Sequence, residues 1–355
     1  FVCFCFQAED GIRDLVRSRG LGYVYKRQEE VFSQLVKEIE SGKINRKEKI
    51  RSGPFIKDLS SLPFPDWEQI DPRIYQKAPH GGVVKAFPVA PILTTRGCPY
   101  ECKFCASPKL WQRTIRYRRP AEVVKEIKYL VDRFGVKEIH FEDDNFTLKR
   151  AHAEKVCRLL IKEKIKVAWA TPNGIRADKV DLSLLKLMKK AGCYFVAFGI
   201  ESGNQTILNN VAKHSNLAVI RKAVKLAHQA GLITQGFFIF GLPGETKETV
   251  RETIDFAKSL PLDKAQFLML DIIPGSALWE ELKFGKKVNW QLDSFHEISW
   301  LPPTIKREDL DRAQSLAFRE FFLNPARIMK MLSLIKLSKL KYILRRAKDF
   351  GIVKI

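Results

Sequence analysis

An α/β architecture built on parallel strands is what this sequence predicts, and two observations carry the prediction. Apolar runs near residues 89–95, 137–142, 166–171, 194–200, 233–240 and 265–270 have the length of buried strands. Stretches of helical spacing lie between them, near 120–134, 148–164, 181–191, 204–230 and 246–259. Alternation of this kind implies parallel strands joined by crossover helices. Six strand–helix units are too few for a closed eight-stranded barrel. The pattern by itself fits a partial (β/α)6 barrel or an open doubly wound sheet.

The punctuation agrees with these elements. Pro120 suits a first helical turn, and Gly135 a C-terminal cap; Gly192 and Gly231 also follow helical patterns. Upstream, residues 29–46 read as one amphipathic helix, with Val31, Leu35 and Ile39 at i, i+4 and i+8. A linker punctuated by Pro and Gly follows from Gly53 to Gly82, and contains Leu59, Leu62-Pro63-Phe64-Pro65-Asp66-Trp67 and Tyr75. Downstream, between Asn324 and Ile355, nine Lys or Arg stand against Asp349, a net of +8. Ile328, Met331, Leu332, Ile335 and Ile343 give that stretch an apolar stripe. It reads as a helical C-terminal extension, either docked with a solvated basic face or lying on an anionic membrane surface.

Composition narrows the function classes. The 355 residues are 45% hydrophobic and 29% charged, as in a globular protein with a sizeable core and not a disordered one. No window approaches the roughly 18 uninterrupted apolar residues of a membrane span, and no secretory signal is visible. The net charge of +22 would attract nucleic acid, anionic lipid or an anionic substrate, or is a basic surface with no partner. Seven Cys suit no even disulfide framework, and three of them fall within eight residues, which reads as metal binding in a cytoplasmic chain.

Those three lie in Thr94-Thr95-Arg96-Gly97-Cys98-Pro99-Tyr100-Glu101-Cys102-Lys103-Phe104-Cys105, after the first predicted strand. Sites of α/β folds sit at the C-terminal ends of strands. Thiolates are soft ligands that suit iron–sulfur clusters and zinc. Structural zinc wants four ligands, and neither His80 nor His140 stands at finger spacing. Cys157 and Cys193 are remote and read as core thiols. Three close thiolates, Cys98, Cys102 and Cys105, can instead hold three irons of a 4Fe–4S cubane and leave the fourth open.

Cys-x-x-x-Cys-x-x-Cys with Phe104 before the last Cys resembles the radical S-adenosylmethionine (SAM) signature. Phe198-Gly199-Ile200-Glu201-Ser202-Gly203 is similar to that family's fourth-strand motif, and Phe240-Gly241-Leu242-Pro243-Gly244-Glu245 to its fifth-strand motif. The resemblance covers about residues 88–280. The Pro-rich linker, Phe141-Glu142-Asp143-Asp144-Asn145-Phe146 and Pro274-Gly275-Ser276 resemble one branch, the cobalamin-binding-domain group that includes anaerobic magnesium-protoporphyrin ester cyclases and hopanoid-modifying enzymes. That branch carries a cobalamin domain before the linker; here its Asp-x-His-x-x-Gly signature is absent. Residues 1–28 resemble a translated sequencing adapter, so Cys3 and Cys5 are set aside as ligands. The expected organisation is an artefact over 1–28, a cobalamin-domain remnant plus linker over 29–87, a radical SAM core over 88–285 and a basic helical extension over 286–355.

The resemblance implies a TIM-like partial barrel, a 4Fe–4S cluster on Cys98, Cys102 and Cys105, and SAM on its open iron. Phe104 would pack near the adenine. Asp143, Asp144 and Asn145 stand where other branches have Gly-Gly-Glu and would accept from the SAM amino group, or else cap a helix. Glu201, with Ser202 nearby, would accept from the ribose hydroxyls, and Arg176 or Lys213 would neutralise the carboxylate. Gly241 and Gly244 would let the backbone approach the cofactor. The implied activity is radical chemistry (methylation, cyclisation or rearrangement) on a small or lipid-like substrate, with cobalamin in the full-length protein and ferredoxin or flavodoxin as electron donor. The alternatives are an RNA-modifying methylthiotransferase and a non-catalytic iron–sulfur protein. No RNA-binding module is visible, so nucleic acid is not the expected partner; the expected location is cytoplasmic, peripheral to the membrane if the last helix binds it.

Overall fold

The computed structural model describes residues 28–43, 53–75, 84–283, 300–324 and 327. Cys3, Cys5 and the adapter-like start lie outside them except for Gln28, and so does the basic C-terminal stripe except for Arg327. The chain divides into two compact units, residues 1–59 and 60–355.

In the first unit the described helix is α1, Gln28–Glu40, which is shorter than the predicted 29–46. Its apolar stripe continues to Ile39, but Gly42 takes φ +70° and Lys43 N–H returns to the Glu38 carbonyl at 2.8 Å. A left-handed residue of this kind closes a helix C-terminus, and glycine adopts it without a Cβ penalty.

The second unit is built on a six-stranded sheet of β1 (Val89–Ile92), β4 (Glu138–Phe141), β5 (Ala168–Ile175), β6 (Cys193–Glu201), β7 (Ile233–Phe240) and β8 (Lys264–Met269). Every pairing is parallel, and the spatial order is the chain order. This order decides between the two architectures that alternation left open. A doubly wound sheet reverses its strand order at a switch point. Here each connection steps the same way, so right-handed crossovers put all their helices on one face. The result is the partial (β/α)6 barrel, with helices outside and a free inner face.

The crossover helices are α3 (Pro120–Phe134), α4 (Arg150–Lys162), α5 (Leu182–Lys190), α7 (Leu217–Gln229) and α8 (Lys247–Ser259). Their buried stripes meet the outward residues of the strands in one core that includes Ile127, Leu130, Val156, Trp169, Leu185, Phe198, Phe238 and Phe267. The predicted helix over 204–230 is two helices, α6 (Gln205–Asn210) and α7, separated by a break in which Ala212 and His214 have positive φ. No Gly or Pro marks this break; its local signal is Asn216, whose side chain caps α7 by accepting from Ala218 N–H.

Elements outside the alternation complete the unit. A two-stranded antiparallel ladder, β2 (Thr95–Arg96) with β3 (Arg116–Tyr117), and a short helix α2 (Ser107–Trp111) frame the cysteine loop. A short α9 (Ala277–Glu281) follows β8, and α10 (Arg307–Phe322) packs on α8 and β8 through Leu310, Ala317 and Phe321. Residues 60–75 lie against α3: Trp67 is 5% exposed and its Nε1 donates to Glu126 at 2.9 Å. Arg327 donates to the carbonyls of Lys258, Leu260, Leu262 and Phe321 and so caps α8. No helix among the described residues is long and apolar enough to cross a membrane.

Candidate functional site

Three thiols share the loop between β2 and α2, at the C-terminal end of the sheet. Cys98, Cys102 and Cys105 are free and half-buried. Gly97 starts the loop at φ +110°, where a Cβ would stand 2.0 Å from the Thr114 carbonyl oxygen, so no other residue fits. The middle of the loop is tied to neighbouring elements. Lys103 N–H donates to Val211 at the end of α6, and its carbonyl accepts from Leu278 N–H in α9. Lys103 also pairs with Glu281, Lys109 with Glu280 and Arg113 with Glu101.

The loop's electrostatics place the thiols near one another. Burial pushes the Cys98 thiol up to about 11, and Asp144, Cys105 and Cys102 add to the rise against a backbone hydrogen bond from Tyr100. Burial also raises Cys102, while Lys213 and Arg176 nearby pull it down. Thiols of this kind need a cation to ionise, and metal coordination supplies one. Among the described residues no three His, Cys, Asp or Glu side chains converge on a single ion. A cubane does not require that, because each thiolate binds a different iron.

Glu201 ends β6 at φ +69°, an uncommon conformation for a residue with a side chain. Its carboxylate accepts from Lys213 Nζ at 2.7 Å, and the two residues are 6% and 8% exposed. Burial opposes the charge on Lys213, but Glu201 and Cys102 outweigh it and hold the lysine above its ordinary value. Gly199 makes room for the pair. A Cβ there would lie 2.7 Å from Glu201 Oε1 and 3.0 Å from Lys213 Nζ. Lys213 Nζ also lies 5.9 Å from the centre of the Phe104 ring, so the pair borders the cysteine loop. Phe104 itself packs with Ile207, Val211, Leu242 and Leu278.

The remaining predicted residues divide into those facing the site and those holding it. Arg176 commits its guanidinium to protein: Nε to Asp178 at 2.8 Å, Nη1 to the Lys213 carbonyl at 3.0 Å and Nη2 to that of His214 at 2.7 Å. It also stacks on Tyr100 at 3.6 Å. It thus braces the break that carries Lys213. Lys213 keeps two ammonium protons beyond its bond to Glu201. Ser202 is fully buried, with its hydroxyl against Thr253 and accepting from Asn204 N–H.

Asp143 is 2% exposed and accepts from Thr94 N–H, Thr95 N–H and the Thr94 hydroxyl at 2.6–2.7 Å. It latches the end of β1 to the start of the cysteine loop. Burial raises it to about 6 in spite of those three donors. Asp144 is exposed and accepts from Ser107 in α2. Asn145 is 1% exposed, and its Nδ2 has no partner among the described residues. Gly241 and Gly244 both have positive φ, and a Cβ on Gly244 would stand 2.7 Å from Asn210 Nδ2. Glu245 closes that turn by accepting from Gly241 and Leu242 N–H, and burial pushes it up to about 8 against those two bonds. Both glycines sit in the turn that Glu245 closes. Sequence reading missed Gly97, Gly199, Thr94, Thr95 and Tyr100 as site builders. All five lie within the quoted motifs, so proximity to the cysteines and to Glu201 was the available signal.

Comparison with known proteins agrees with this geometry. Residues 92–257 match the family described as the Radical SAM superfamily. The chain is 31% identical over 299 residues to an uncharacterized methyltransferase of Pyrococcus horikoshii, covering 82% of this chain and 61% of that protein. It is 32% identical over 278 residues to the anaerobic magnesium-protoporphyrin IX monomethyl ester cyclase of Rubrivivax gelatinosus, covering 77% of this chain and 48% of the cyclase. The chain thus spans about half to three fifths of the length of these relatives. Its fold is similar to that of the radical S-adenosylmethionine methyltransferase TsrM from Kitasatospora setae, with a TM-score of 0.53 and 21% identity over 71% of this chain and 53% of that one. The parallel partial barrel, the cysteine loop at its C-terminal end and these likenesses agree: through residues 92–257 this chain belongs to the radical SAM superfamily.

Proposed function

We propose that the chain is an enzyme that cleaves SAM reductively at a 4Fe–4S cluster and performs radical chemistry on a small or lipid-like substrate. The observation that carries this is the half-buried trio Cys98, Cys102 and Cys105 on a loop pinned beside the Glu201–Lys213 pair. The cluster, when bound, supplies the electron for SAM cleavage and an open iron for its amino and carboxylate groups.

The chain's own residues bind and shield. Cys98, Cys102 and Cys105 hold the cluster. Lys213 directs its remaining protons at the SAM carboxylate; Arg176 keeps Lys213 in place instead of meeting the ligand. The Glu201 oxygen that Lys213 does not engage accepts from the ribose. Asp144, exposed beside Cys98, accepts from the amino group, and Asp143 and Ser202 hold backbone. Phe104 gives the adenine an apolar edge. The inner face of the sheet keeps water from the reacting carbon.

Methylation and cyclisation are both within this reading, since the relatives include a methyltransferase and a ring-forming cyclase by name. Cobalamin in the full-length protein is supported by the motif resemblance and by the likeness to TsrM, whose structure has cobalamin and a 4Fe–4S cluster bound. The Asp-x-His-x-x-Gly signature is absent from these 355 residues. The reductant is a ferredoxin or flavodoxin. Peripheral membrane attachment would come from the basic C-terminal stripe.

Anaerobic reconstitution tests the reading. The chain should take up about four irons with the absorption and spin-resonance signals of a 4Fe–4S centre, and Cys98→Ala, Cys102→Ala and Cys105→Ala should each abolish them. SAM should perturb the reduced signal and yield 5′-deoxyadenosine. Zinc uptake without iron, or a spectrum indifferent to SAM, defeats the proposal.

A further inference from the structure

The inner face of the sheet carries polar side chains that neither the cysteine loop nor the Glu201–Lys213 pair engages. Strand register places Ala197 of β6, Gln235 of β7 and Lys264 of β8 in one row. The next row toward the C-terminal ends is Gly199, Phe237 and Gln266. Registered neighbours in a parallel ladder present their side chains to the same face. Gly199 identifies that face, because its missing Cβ lies where the Glu201 carboxylate and Lys213 ammonium meet. Gly236, between Gln235 and Phe237, points the other way, toward Ile200 and Leu262 in the core.

The chemistry of the lower row is incomplete. Gln235 is 4% exposed, yet its amide has no hydrogen-bond partner among the described residues. Lys264 has neither a hydrogen bond nor an ion pair among them, and burial alone depresses it, with no acidic side chain near enough to offset the cost. Gln266 is likewise without a partner among them. Gln235 is buried and Lys264 and Gln266 are half-buried, so these donors are partly desolvated, and a ligand bearing anionic oxygens satisfies them. On β6 Ala197 puts only a methyl beside Gln235, and the space over Gly199 is taken by the Glu201–Lys213 pair. Above the donors the wall turns apolar: Leu268 is 40% exposed and stands in register with Ile239.

We propose that Gln235, Lys264 and Gln266 form the subsite that grips the acidic group, a carboxylate or a phosphoryl, of an otherwise apolar substrate. This placement rests on the radical SAM reading and names the substrate class within it. Two strand residues separate the Lys264 row from the Gly199 row, a rise of about 7 Å. The acidic group therefore sits about that far below the carbon presented beside Glu201. Phe237 in the Gly199 row, and Ile239 and Leu268 one row further toward the C-terminal ends, wall the apolar body.

The test uses the full chain and two probes of known structure, octanoate and octyl phosphate, with octan-1-ol as the uncharged control. Lys264 is acetylated by a trace amine-reactive reagent, and its modified fraction is read by peptide mass spectrometry. Either anion should protect Lys264, and octan-1-ol should not; the tighter of the two anions tells carboxylate from phosphoryl. Calorimetric affinity for that anion should fall about 10- to 100-fold in Lys264→Gln, the loss of a hydrogen bond to a charged group, and recover to within about threefold in Lys264→Arg, which keeps the charge. Gln235→Ala should weaken it as well. Failure of both anions to protect Lys264, or equal binding by Lys264→Gln, overturns the subsite. Iron uptake and the SAM response are read on the unsubstituted chain. A chain that holds cluster and SAM but no anion loses only this subsite, whereas one that takes up no cluster loses the radical SAM reading.

Discussion

Glu201→Gln probes the pair on which the site is built. Glu201 Oε1 and Lys213 Nζ are 2.7 Å apart, and both residues are more than nine-tenths buried. With charge centres about 4 Å apart and an effective dielectric of about 20, their attraction is about 4 kcal/mol. Removing one partner of a buried pair costs about 3–5 kcal/mol, because the other charge stays buried alone. A glutamine carbonyl still accepts one bond from Lys213, so the expected loss is about 3 kcal/mol. The pH dependence gives a second signature. Lys213 is held above its ordinary value in the folded chain, so its stabilisation is complete below the unfolded pKa of 10.5 and is lost only as pH rises through the folded one. Without Glu201, burial pulls Lys213 down instead. The unfolded chain then binds more protons, and stability rises with pH. Urea unfolding followed by tryptophan fluorescence should show the variant's deficit relative to the parent shrinking as pH rises toward 10.5, while Glu245, near 8 in the folded chain against 4.5 unfolded, slopes both chains alike up to about 8. Glu201→Gln with Lys213→Met should regain most of the loss. A loss below about 1 kcal/mol, or equal pH profiles for variant and parent, would show that the pair is not buried as described.

Gly199→Ala is the smaller perturbation of the same pair: its Cβ would lie 2.7 Å from Glu201 Oε1, and SAM affinity should fall while iron content is kept, as read by calorimetry and iron assay. Gly97→Ala meets the Thr114 carbonyl at 2.0 Å and should reduce iron retention, measured as cluster loss during gel filtration. Asp143 has a folded pKa of about 6 against 3.8 unfolded, so the folded chain holds more protons in that window and Asp143's contribution to stability grows as pH falls from about 7 to about 4. Asp143→Asn can accept from Thr94 and Thr95 N–H and donate to the Thr94 hydroxyl. It should remove that slope, whereas Asp143→Ala should cost about 2–4 kcal/mol by orphaning two buried N–H groups; an Asn variant that keeps the slope in denaturant titrations at several pH values would assign it to another group.

Much of the barrel was legible because its signals are local. Apolar runs of strand length and helices bounded by Pro120 and Gly135 depend on residues within one turn or one strand of each other. The helix predicted over 204–230 was misjudged for the same reason. Its apolar spacing is helical, but Asn209, Asn210, Ser215 and Asn216 cluster at the break, which is also held by Arg176, close in space and far in sequence. The extra turn assigned to α1 reflects Gly42, whose closing role a stripe of i, i+4 residues does not weigh.

The sequence by itself determined the strand–helix alternation, the three thiols at ligand spacing and the motifs around Glu201 and Gly241, because residue identity and short spacing carry that information. Only the tertiary structure showed which candidate site residues are bonded to protein and to which elements. Arg176 places three of its five N–H donors on Asp178, Lys213 and His214, Asp143 accepts from Thr94 and Thr95, and the Ser202 hydroxyl meets Thr253. Lys213 and Asp144 retain capacity beside the cysteine loop. Strand order likewise chose the partial barrel over the doubly wound sheet. Both decisions depend on contacts between residues tens of positions apart, which hydrogen-bond geometry and packing set and local pattern does not encode.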